Sequence, residues 1–385
     1  MSQPLAHFVS DAAFDPDATV AAGSELSKQY QNASQSQIIW WRFLRHRLAF
    51  WSLIVVGLLY ASILITEFLA PYELHSRHTQ SIFAPPQGIH LFNDGRFVGP
   101  FVYPRQFKLN METLKREYSV DTARAERVRF FCSGDPYRFW GIFPSTFHLI
   151  CPPEGGTLFL LGTDRLGRDM LSRLLYGARI SLTVGLIGVT LSFILGITFG
   201  GIAGYFGGWA DSIIQRVTEI LRSLPELPLW MALSAALPVT WSPLVIYFGI
   251  TVILALLDWP GLARAVRSKL FALREEDFVS AAEMMGAKPS RVIGRHLLPN
   301  FTSHLIASAS LSIPSMILAE TALSFLGLGL RPPITSWGVL LSEAQNIEAV
   351  ALYPWLLMPM VPVMITVLAF SFLGDGLRDA IDPHG

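Results

Sequence analysis

Side chains able to do chemistry are few and scattered along this chain. His75 and His78 have a three-residue spacing that can bring two imidazoles together, but only Glu73 stands nearby as a further metal ligand. No nucleophile, base and orienting residue form a set, and no G-x-x-x-x-G-K-S/T phosphate-binding loop occurs. We therefore expect no catalytic, cofactor-binding or metal-binding residues in this chain.

A single acid and a row of serines interrupt one long apolar stretch, residues 301–326. Glu320 lies near its end, and an ionisable group inside a membrane is a candidate functional residue. With no acid or histidine relay expected on the other stretches, a structural hydrogen bond is favoured over proton coupling. Ser308, Ser312 and Ser315 recur at helical spacing, so they face either a partner helix or a pathway, and packing is the commoner use.

Composition places the elements that carry these residues in lipid. The chain is 51% hydrophobic and 15% charged with no net charge, whereas soluble domains carry about 25% charged residues. We predict an all-α integral membrane protein with six transmembrane helices. They are expected at residues 49–70, 178–203, 219–238, 243–260, 301–326 and 354–373. The first is expected to be an uncleaved anchor, because it starts late and lacks a small-residue cleavage site.

Domain boundaries follow from these stretches. We expect an N-terminal tail (1–48), the first transmembrane helix (49–70), an extracytoplasmic insert with an interfacial helix (71–177) and a five-helix core (178–383). The interfacial helix is predicted over residues 162–175, with Thr163 and Asp164 as potential caps. Its two interpretations, an outer gate or docking element and a lipid-surface anchor, stay equally open.

Basic residues in the short loops predict the orientation. Arginines precede the first stretch, and seven bases lie in the predicted loop 261–300, so both should be cytoplasmic. Six spans then place both termini in the cytoplasm and the insert outside. The only cysteines, Cys132 and Cys151, fall in the insert, where an oxidising compartment favours a disulfide over two free thiols.

A short helical hairpin is predicted within the loop 261–300. Phe278, Ala281, Ala282 and Met285 have the spacing of an amphipathic stripe, Gly286 suits the helix end, and Pro289 suits the start of a second helix. The hairpin can dock into a partner or pack on its own membrane domain. A DNA-binding function is disfavoured, because a hairpin tethered between two spans cannot lie along a duplex.

Several motifs resemble one family of transport proteins. They are the hairpin pattern from Ala281 to Pro299, GTDRLGRDMLSRLLYGARISL from Gly162, AETALSFLGLGL from Ala319, PPITSWG from Pro332 and FLGDGLRDAIDP from Phe372. Together they resemble the membrane permease subunits of ABC importers of the dipeptide, oligopeptide and nickel group. The resemblance covers most of residues 160–383.

The resemblance implies a type I importer in the bacterial inner membrane. Its partners would be a second, different permease chain, two ATPase subunits that hold ATP and Mg, and a periplasmic substrate-binding protein. Contact with the ATPase would fall on the hairpin residues Ala281, Ala282, Glu283, Gly286 and Ala287, although Ser280 stands where many members carry Glu. Glu320 would hold the outer gate, and Trp337 would begin a short re-entrant helix there or join an aromatic belt.

The transported solute stays open at this point. Peptides are expected first, with oligosaccharides, opines or nickel chelates as alternatives on the same scaffold. A membrane sensor that uses the insert as a ligand-binding domain is the competing class, and a proton-driven carrier is a third possibility.

Overall fold

A computed structural model describes residues 34–93, 95–109, 111–112, 116–238, 240–345 and 351–381. Most of the predicted tail and the predicted core boundary at residue 383 therefore lie outside the described residues. Among the described residues, five helical segments are long and apolar enough to cross a membrane. They are Arg47–Leu64, Met170–Phe206, Pro243–Leu273, Pro289–Phe325 and Pro354–Ile381.

The described helices alternate between long membrane segments and short connecting pieces. Before the insert lie α1 (Gln35–Arg45), α2 (Arg47–Leu64) and α3 (Thr66–Leu69). After it follow α4 (Met170–Phe206), α5 (Gly208–Ser223), α6 (Glu226–Ala235), α7 (Pro243–Leu273), α8 (Asp277–Met284), α9 (Pro289–Arg291), α10 (Thr302–Phe325), α11 (Trp337–Ser342) and α12 (Met360–Ile381). A π-helical turn (Val292–Leu297) and a 3-10 turn (Leu298–Phe301) join α9 to α10, and another 3-10 turn (Pro354–Leu357) precedes α12.

The third predicted span, residues 219–238, is not one continuous helix. The chain forms α5 and the ten-residue α6 there, separated at Leu224 and Pro225. Leu224 is extended, with φ −88° and ψ 141°, because a residue before proline is pushed out of the helical region. Neither piece is among the five membrane-length segments.

The helix around the fourth predicted span is longer than expected, because Pro260 does not end it. α7 continues through Pro260 to Leu273, so much of the predicted loop 261–300 is helical. Its 31 residues correspond to about 46 Å at ~1.5 Å per residue, more than a hydrocarbon core of ~30 Å. Proline is tolerated inside membrane helices where the surroundings satisfy the freed carbonyl.

The insert corrects the all-α prediction, because it is built from strands. They are β1 (His90–Asn93), β2 (Arg96–Val102), β3 (Arg105–Leu109), β4 (Arg116–Val120), β5 (Glu126–Arg127), β6 (Arg129–Phe139) and β7 (Phe143–Cys151). All pairings are antiparallel, with one sheet in the order β1-β2-β5 and two hairpins, β3–β4 and β6–β7. Cys132 and Cys151, on the two strands of the last hairpin, are joined by a disulfide.

Glycines allow α4 and α7 to pack backbone against backbone. A Cβ atom at Gly196 would lie 2.9 Å from the Leu262 side chain, and one at Gly204 would lie 2.8 Å from the Arg267 carbonyl oxygen. At Gly200, between them, even less room is left before the Ala263 carbonyl oxygen. Small residues at four-residue spacing are the usual means of close helix contact in membranes.

We predict that Gly200→Ala destabilises the protein while Gly201→Ala does not. The added methyl group at position 200 meets the α7 backbone, which can yield only if the helices separate, at a cost of about 1–3 kcal/mol. At Gly201 the nearest atom would be 3.7 Å away, in ordinary contact. Thermal unfolding of the two purified variants checks this, and equal melting temperatures would contradict the packing argument.

Candidate functional site

A cluster of four charged residues, three buried and one partly buried, lies where α4 begins. Asp164 accepts hydrogen bonds from Arg168 Nε and Arg173 Nη1, both at 2.6 Å. Glu343, just after α11, accepts from Arg173 Nη1 at 2.7 Å and Nη2 at 2.9 Å, and from Arg168 Nη2 at 3.2 Å. Two acids and two arginines balance, so the cluster ties the segment before α4 to the end of α11 without net charge.

This cluster corrects the predicted interfacial helix over residues 162–175. Residues 163 and 164 do not cap a helix, because α4 begins at Met170 and its N-cap is Asp169, whose Oδ2 accepts from the Ser172 backbone N–H at 2.7 Å. Burial raises the pKa of Asp169 to about 6. Asp164 and Arg173 are almost completely buried, so the segment is part of the core and no amphipathic surface helix forms.

Glu320 and Trp337 are brought together by serines on three different elements. The Glu320 carboxylate accepts from the Oγ atoms of Ser336 at 2.7 Å, Ser324 at 2.8 Å and Ser181 at 3.2 Å. Ser181 Oγ in turn accepts from the Trp337 backbone N–H at 3.1 Å. Trp337 begins the short helix α11 and is fully buried, which excludes the aromatic-belt alternative in this structure.

The serine row of α10 lies away from this network. Ser308 and Ser312 line a cavity of about 290 Å³ together with Asp258 of α7. Asp258 Oδ2 accepts from Ser192 Oγ of α4 at 2.7 Å. Ser315 is exposed instead, and its hydroxyl donates to the Leu311 carbonyl at 3.3 Å. Asp258 is an acid inside the predicted span 243–260 that is absent from the predicted site residues, although an acid within an apolar run is itself a signal of function.

The predicted hairpin residues meet at the end of α8. The Gly286 N–H donates to the Glu283 carbonyl at 2.8 Å, and the Ala287 N–H donates to the Ala282 carbonyl at 3.1 Å. With φ of 80° at Gly286, these two bonds form a Schellman motif, as the glycine predicted. Pro289 begins α9, also as predicted, but that helix is only three residues long.

Of the apolar stripe predicted for α8, only Ala282 is buried, and Phe278, Ala281 and Met285 are exposed. Val279 and Ala282 form the buried face, and Val279 joins a cluster with Val266 and Leu270 of α7. The residues left outside form an exposed apolar stripe: Phe278, Ala281, Met284 and Met285. Met284 and Met285 are 84% and 82% exposed. A face of this kind, held on a fixed short helix, suits contact with another protein.

Hydrogen bonds connect α8 and α5 to the long helices. The Tyr205 hydroxyl, at the end of α4, donates to Glu283 Oε1 at 2.6 Å. Arg267 of α7 donates two hydrogen bonds to the carboxylate of Asp211 on α5, from Nε to Oδ1 and from Nη2 to Oδ2, the second at 2.5 Å. These bonds hold the pKa of Asp211 below its usual range. The Tyr205–Glu283 hydrogen bond is therefore a direct contact between α8 and α4.

Elsewhere in the described part of the chain, the titratable residues do not assemble into a metal centre. Within the described ranges, no group of three or more His, Cys, Asp or Glu side chains is placed to hold a metal ion. His78 packs edge-on against Tyr72 and Phe159, and burial lowers its pKa.

Five long apolar helical segments in the described chain define a membrane protein, and comparison with known proteins identifies its family. Residues 196–384 match the family of binding-protein-dependent transport system inner membrane components. Residues 34–86 match the N-terminal transmembrane domain of oligopeptide transport permease C. The chain belongs to this family of inner-membrane transport components, the permease subunits of ABC importers.

Curated relatives of the chain are permeases for small peptides. The dipeptide transport system permease protein DppC of Alkalihalophilus pseudofirmus is 42% identical over 223 residues, which cover 58% of this chain and 71% of the relative. The glutathione transport system permease protein GsiD of Pectobacterium atrosepticum is 39% identical over 223 residues, 58% of this chain and 72% of the relative. Among solved structures, the inward-facing MetNI methionine ABC transporter is 20% identical, covers 55% of this chain and 98% of that chain, and has a TM-score of 0.43.

We predict that Arg173→Met destabilises the protein strongly. It removes one of the two arginines that neutralise Asp164 and Glu343, and so leaves one negative charge without a partner in a buried site. Breaking a buried ion pair costs about 3–5 kcal/mol. Arg165→Met, at an exposed arginine of the same loop, should change stability by less than about 0.5 kcal/mol. Thermal unfolding distinguishes the two, and a harmless Arg173→Met would show that the cluster is not structural.

We predict that Gly286→Ala impairs transport without impairing folding. A Cβ at φ 80° costs about 1–2 kcal/mol. That cost lowers the ratio of native to non-native conformations at the end of α8 by roughly 5- to 30-fold. Gly294→Ala is the matched control, because its Cβ would meet nothing within 4 Å and its φ is not in the left-handed region. The measurements are membrane insertion, ATPase stimulation and uptake by the assembled transporter. Equal uptake by both variants would contradict the coupling role of this turn.

Proposed function

We propose that this chain is a permease subunit of an ATP-driven importer that carries peptides of a few residues. The relatives support this solute class, since one is named for dipeptides and another for glutathione, itself a peptide. Oligosaccharides, opines and nickel chelates remain alternatives on the same scaffold, without a residue that favours them. Family membership favours the transporter over a membrane sensor.

The exposed apolar stripe of α8 is the observation that supports coupling of this chain to a partner ATPase. Its methionines suit an adaptable contact, because their flexible side chains fit irregular surfaces. The polypeptide on either side is tethered to α7 and α10, and Glu283 is bonded to Tyr205 of α4. A partner ATPase that binds this stripe would therefore transmit its closure to the membrane helices. Ala281, Ala282, Glu283, Gly286 and Ala287 are proposed as this coupling site.

The proposed assembly contains a second, different permease chain, two ATPase subunits and a periplasmic binding protein. ATP and Mg would be held by the ATPases, consistent with the lack of a phosphate-binding loop in this sequence. Arginines before α2 and bases around α8 support cytoplasmic placement of the N-terminus and the coupling site. A cytoplasmic C-terminus would require α5 and α6 together to act as the sixth crossing.

The two polar regions inside the membrane domain are proposed to have different roles. Glu320, Trp337 and their serines would hold the outer gate, since the network joins α4, α10 and α11. Ser308, Ser312 and Asp258 line a cavity between α7 and α10 and are the better candidates for the pathway. Ser315 is exposed and would face lipid or the second permease chain.

Reconstitution tests the proposal. The complete transporter in vesicles should take up a dipeptide only with ATP and its binding protein. Met284→Glu places a charge at the centre of the exposed apolar stripe and should lower uptake and substrate-stimulated ATPase activity together, by about tenfold for a loss of ~1.4 kcal/mol in docking. Ser290→Glu adds the same charge at an exposed position outside the stripe and should have little effect.

Uptake that persists without ATP would refute the importer. Unchanged coupling in Met284→Glu would refute the docking site. Competition between dipeptides, glutathione and an oligosaccharide in the same vesicles would identify the solute class.

A further inference from the structure

The tip of the β6–β7 hairpin, residues 140–143, exposes large apolar side chains. Ile142 is 69% exposed and Phe143 is 66% exposed. Extracellular loops are ordinarily polar, and a contiguous apolar surface on one of them marks a contact with something else. The hairpin is also the only disulfide-bonded part of the described chain, and the disulfide joins its strands at the end opposite the tip.

This tip is attached to the end of the first membrane helix. Trp140 Nε1 donates to the carbonyl of Leu64, the last residue of α2, at 3.0 Å. The Trp140 backbone N–H donates to Glu67 Oε1 at 3.1 Å, and the Arg179 guanidinium lies over the Trp140 ring at 4.3 Å from its centroid. Trp140 has φ 53°, an unfavourable conformation for a bulky residue that persists only where surrounding contacts hold it.

The position of Leu64 defines the depth of the tip. α2 has 18 residues, or about 27 Å at ~1.5 Å per residue, which nearly matches the hydrocarbon thickness of ~30 Å. The end of α2 therefore lies near the boundary between lipid tails and headgroups. Trp140, hydrogen-bonded to that end, lies at the level where tryptophan is enriched in membrane proteins.

Exposed apolar side chains occur both on the membrane helix and on the hairpin, and the two meet where Trp140 contacts Leu64. Leu58 and Leu64 of α2 and the following Ile65 are exposed on the membrane segment. Beyond them, Phe68 of α3 contacts the rings of Phe131 and Phe147 on the hairpin, at centroid distances of 6.5 and 5.7 Å. These two hairpin phenylalanines are themselves exposed, so apolar side chains are exposed on α2 and also on the hairpin strands that pack against α3.

We propose that the tip of the β6–β7 hairpin inserts into the interfacial region of the bilayer and anchors the insert to the membrane surface. Ile142 and Phe143 enter the boundary between headgroups and acyl chains, and Trp140 fixes the depth through its bonds to α2. The occupant is lipid, because the patch continues the lipid-covered face of α2. The tip is then a further attachment of the insert to the membrane, in addition to its covalent links to α3 and α4.

Spin labels at single introduced cysteines test the anchor. Ile142→Cys is compared with Leu58→Cys, in the middle of α2, and Thr122→Cys, an exposed polar position of the insert. The full chain is reconstituted in vesicles of phosphatidylethanolamine and phosphatidylglycerol, and each label's accessibility to oxygen and to a water-soluble nickel chelate is measured. Unsubstituted protein, with both native cysteines in the disulfide, gives the background.

The Ile142 label should favour oxygen over the nickel chelate, as at Leu58 and opposite to Thr122. A label at position 142 as accessible to the nickel chelate as the one at Thr122 would overturn the proposal. Protection that appears only after the soluble binding protein is added would also overturn it and would assign the tip to that protein. None of these readouts requires transport, so the result is independent of the proposed importer function.

Discussion

The close packing of α4 against α7 is the contact on which the rest of the membrane domain depends. Without side chains at Gly196, Gly200 and Gly204, the two backbones approach to a distance that larger residues would prevent. Lipid offers little hydrophobic drive for helix association, so such contacts must come from dispersion and fit. Every functional region described above is attached to one of these two helices.

α4 connects the two ends of the protein. Its first turn carries Arg173 of the buried ion cluster, its next turns carry Ser181 beside Glu320, and its last turn carries Tyr205, bonded to Glu283 of α8. At 37 residues it is about 55 Å long at ~1.5 Å per residue. A rigid element of this length can transmit a displacement at α8 to the polar network around Glu320 without an intermediate.

Polar groups inside the membrane domain are arranged so that few are left alone. Asp164, Arg168, Arg173 and Glu343 neutralise one another's charge, because burying an uncompensated charge would cost several kcal/mol, and Arg173 Nε is the one buried nitrogen of the cluster left without a hydrogen bond in the described structure. Glu320 is satisfied by three hydroxyl groups instead of a cation. The ion cluster favours a fixed contact between the segment before α4 and the end of α11. The hydrogen bonds of Glu320 can rearrange at lower cost, because serine hydroxyls rotate and find other acceptors.

Local signals in the sequence determined the parts of the structure whose causes are local. Long apolar stretches specified most membrane helices, Gly286 specified the end of α8, Pro289 the start of α9, and the motifs specified the family. The break at Pro225 and the passage through Pro260 could not be told apart from sequence, because a proline ends or only interrupts a helix according to what satisfies the freed backbone groups.

Only the tertiary structure decided which residues meet across the chain. Residues 162–175 read as an amphipathic surface helix, but Glu343, some 170 residues away in sequence, neutralises their arginines and allows burial. In the same way, the sequence left open whether the hairpin docks to a partner or packs on its own domain, and the structure buries Val279 against α7, buries Ala282 and leaves the methionines exposed. The periodicity of a sequence indicates that a helix has an apolar and a polar face. Which face is buried depends on residues distant in sequence that pack against it, and the local sequence does not identify those residues.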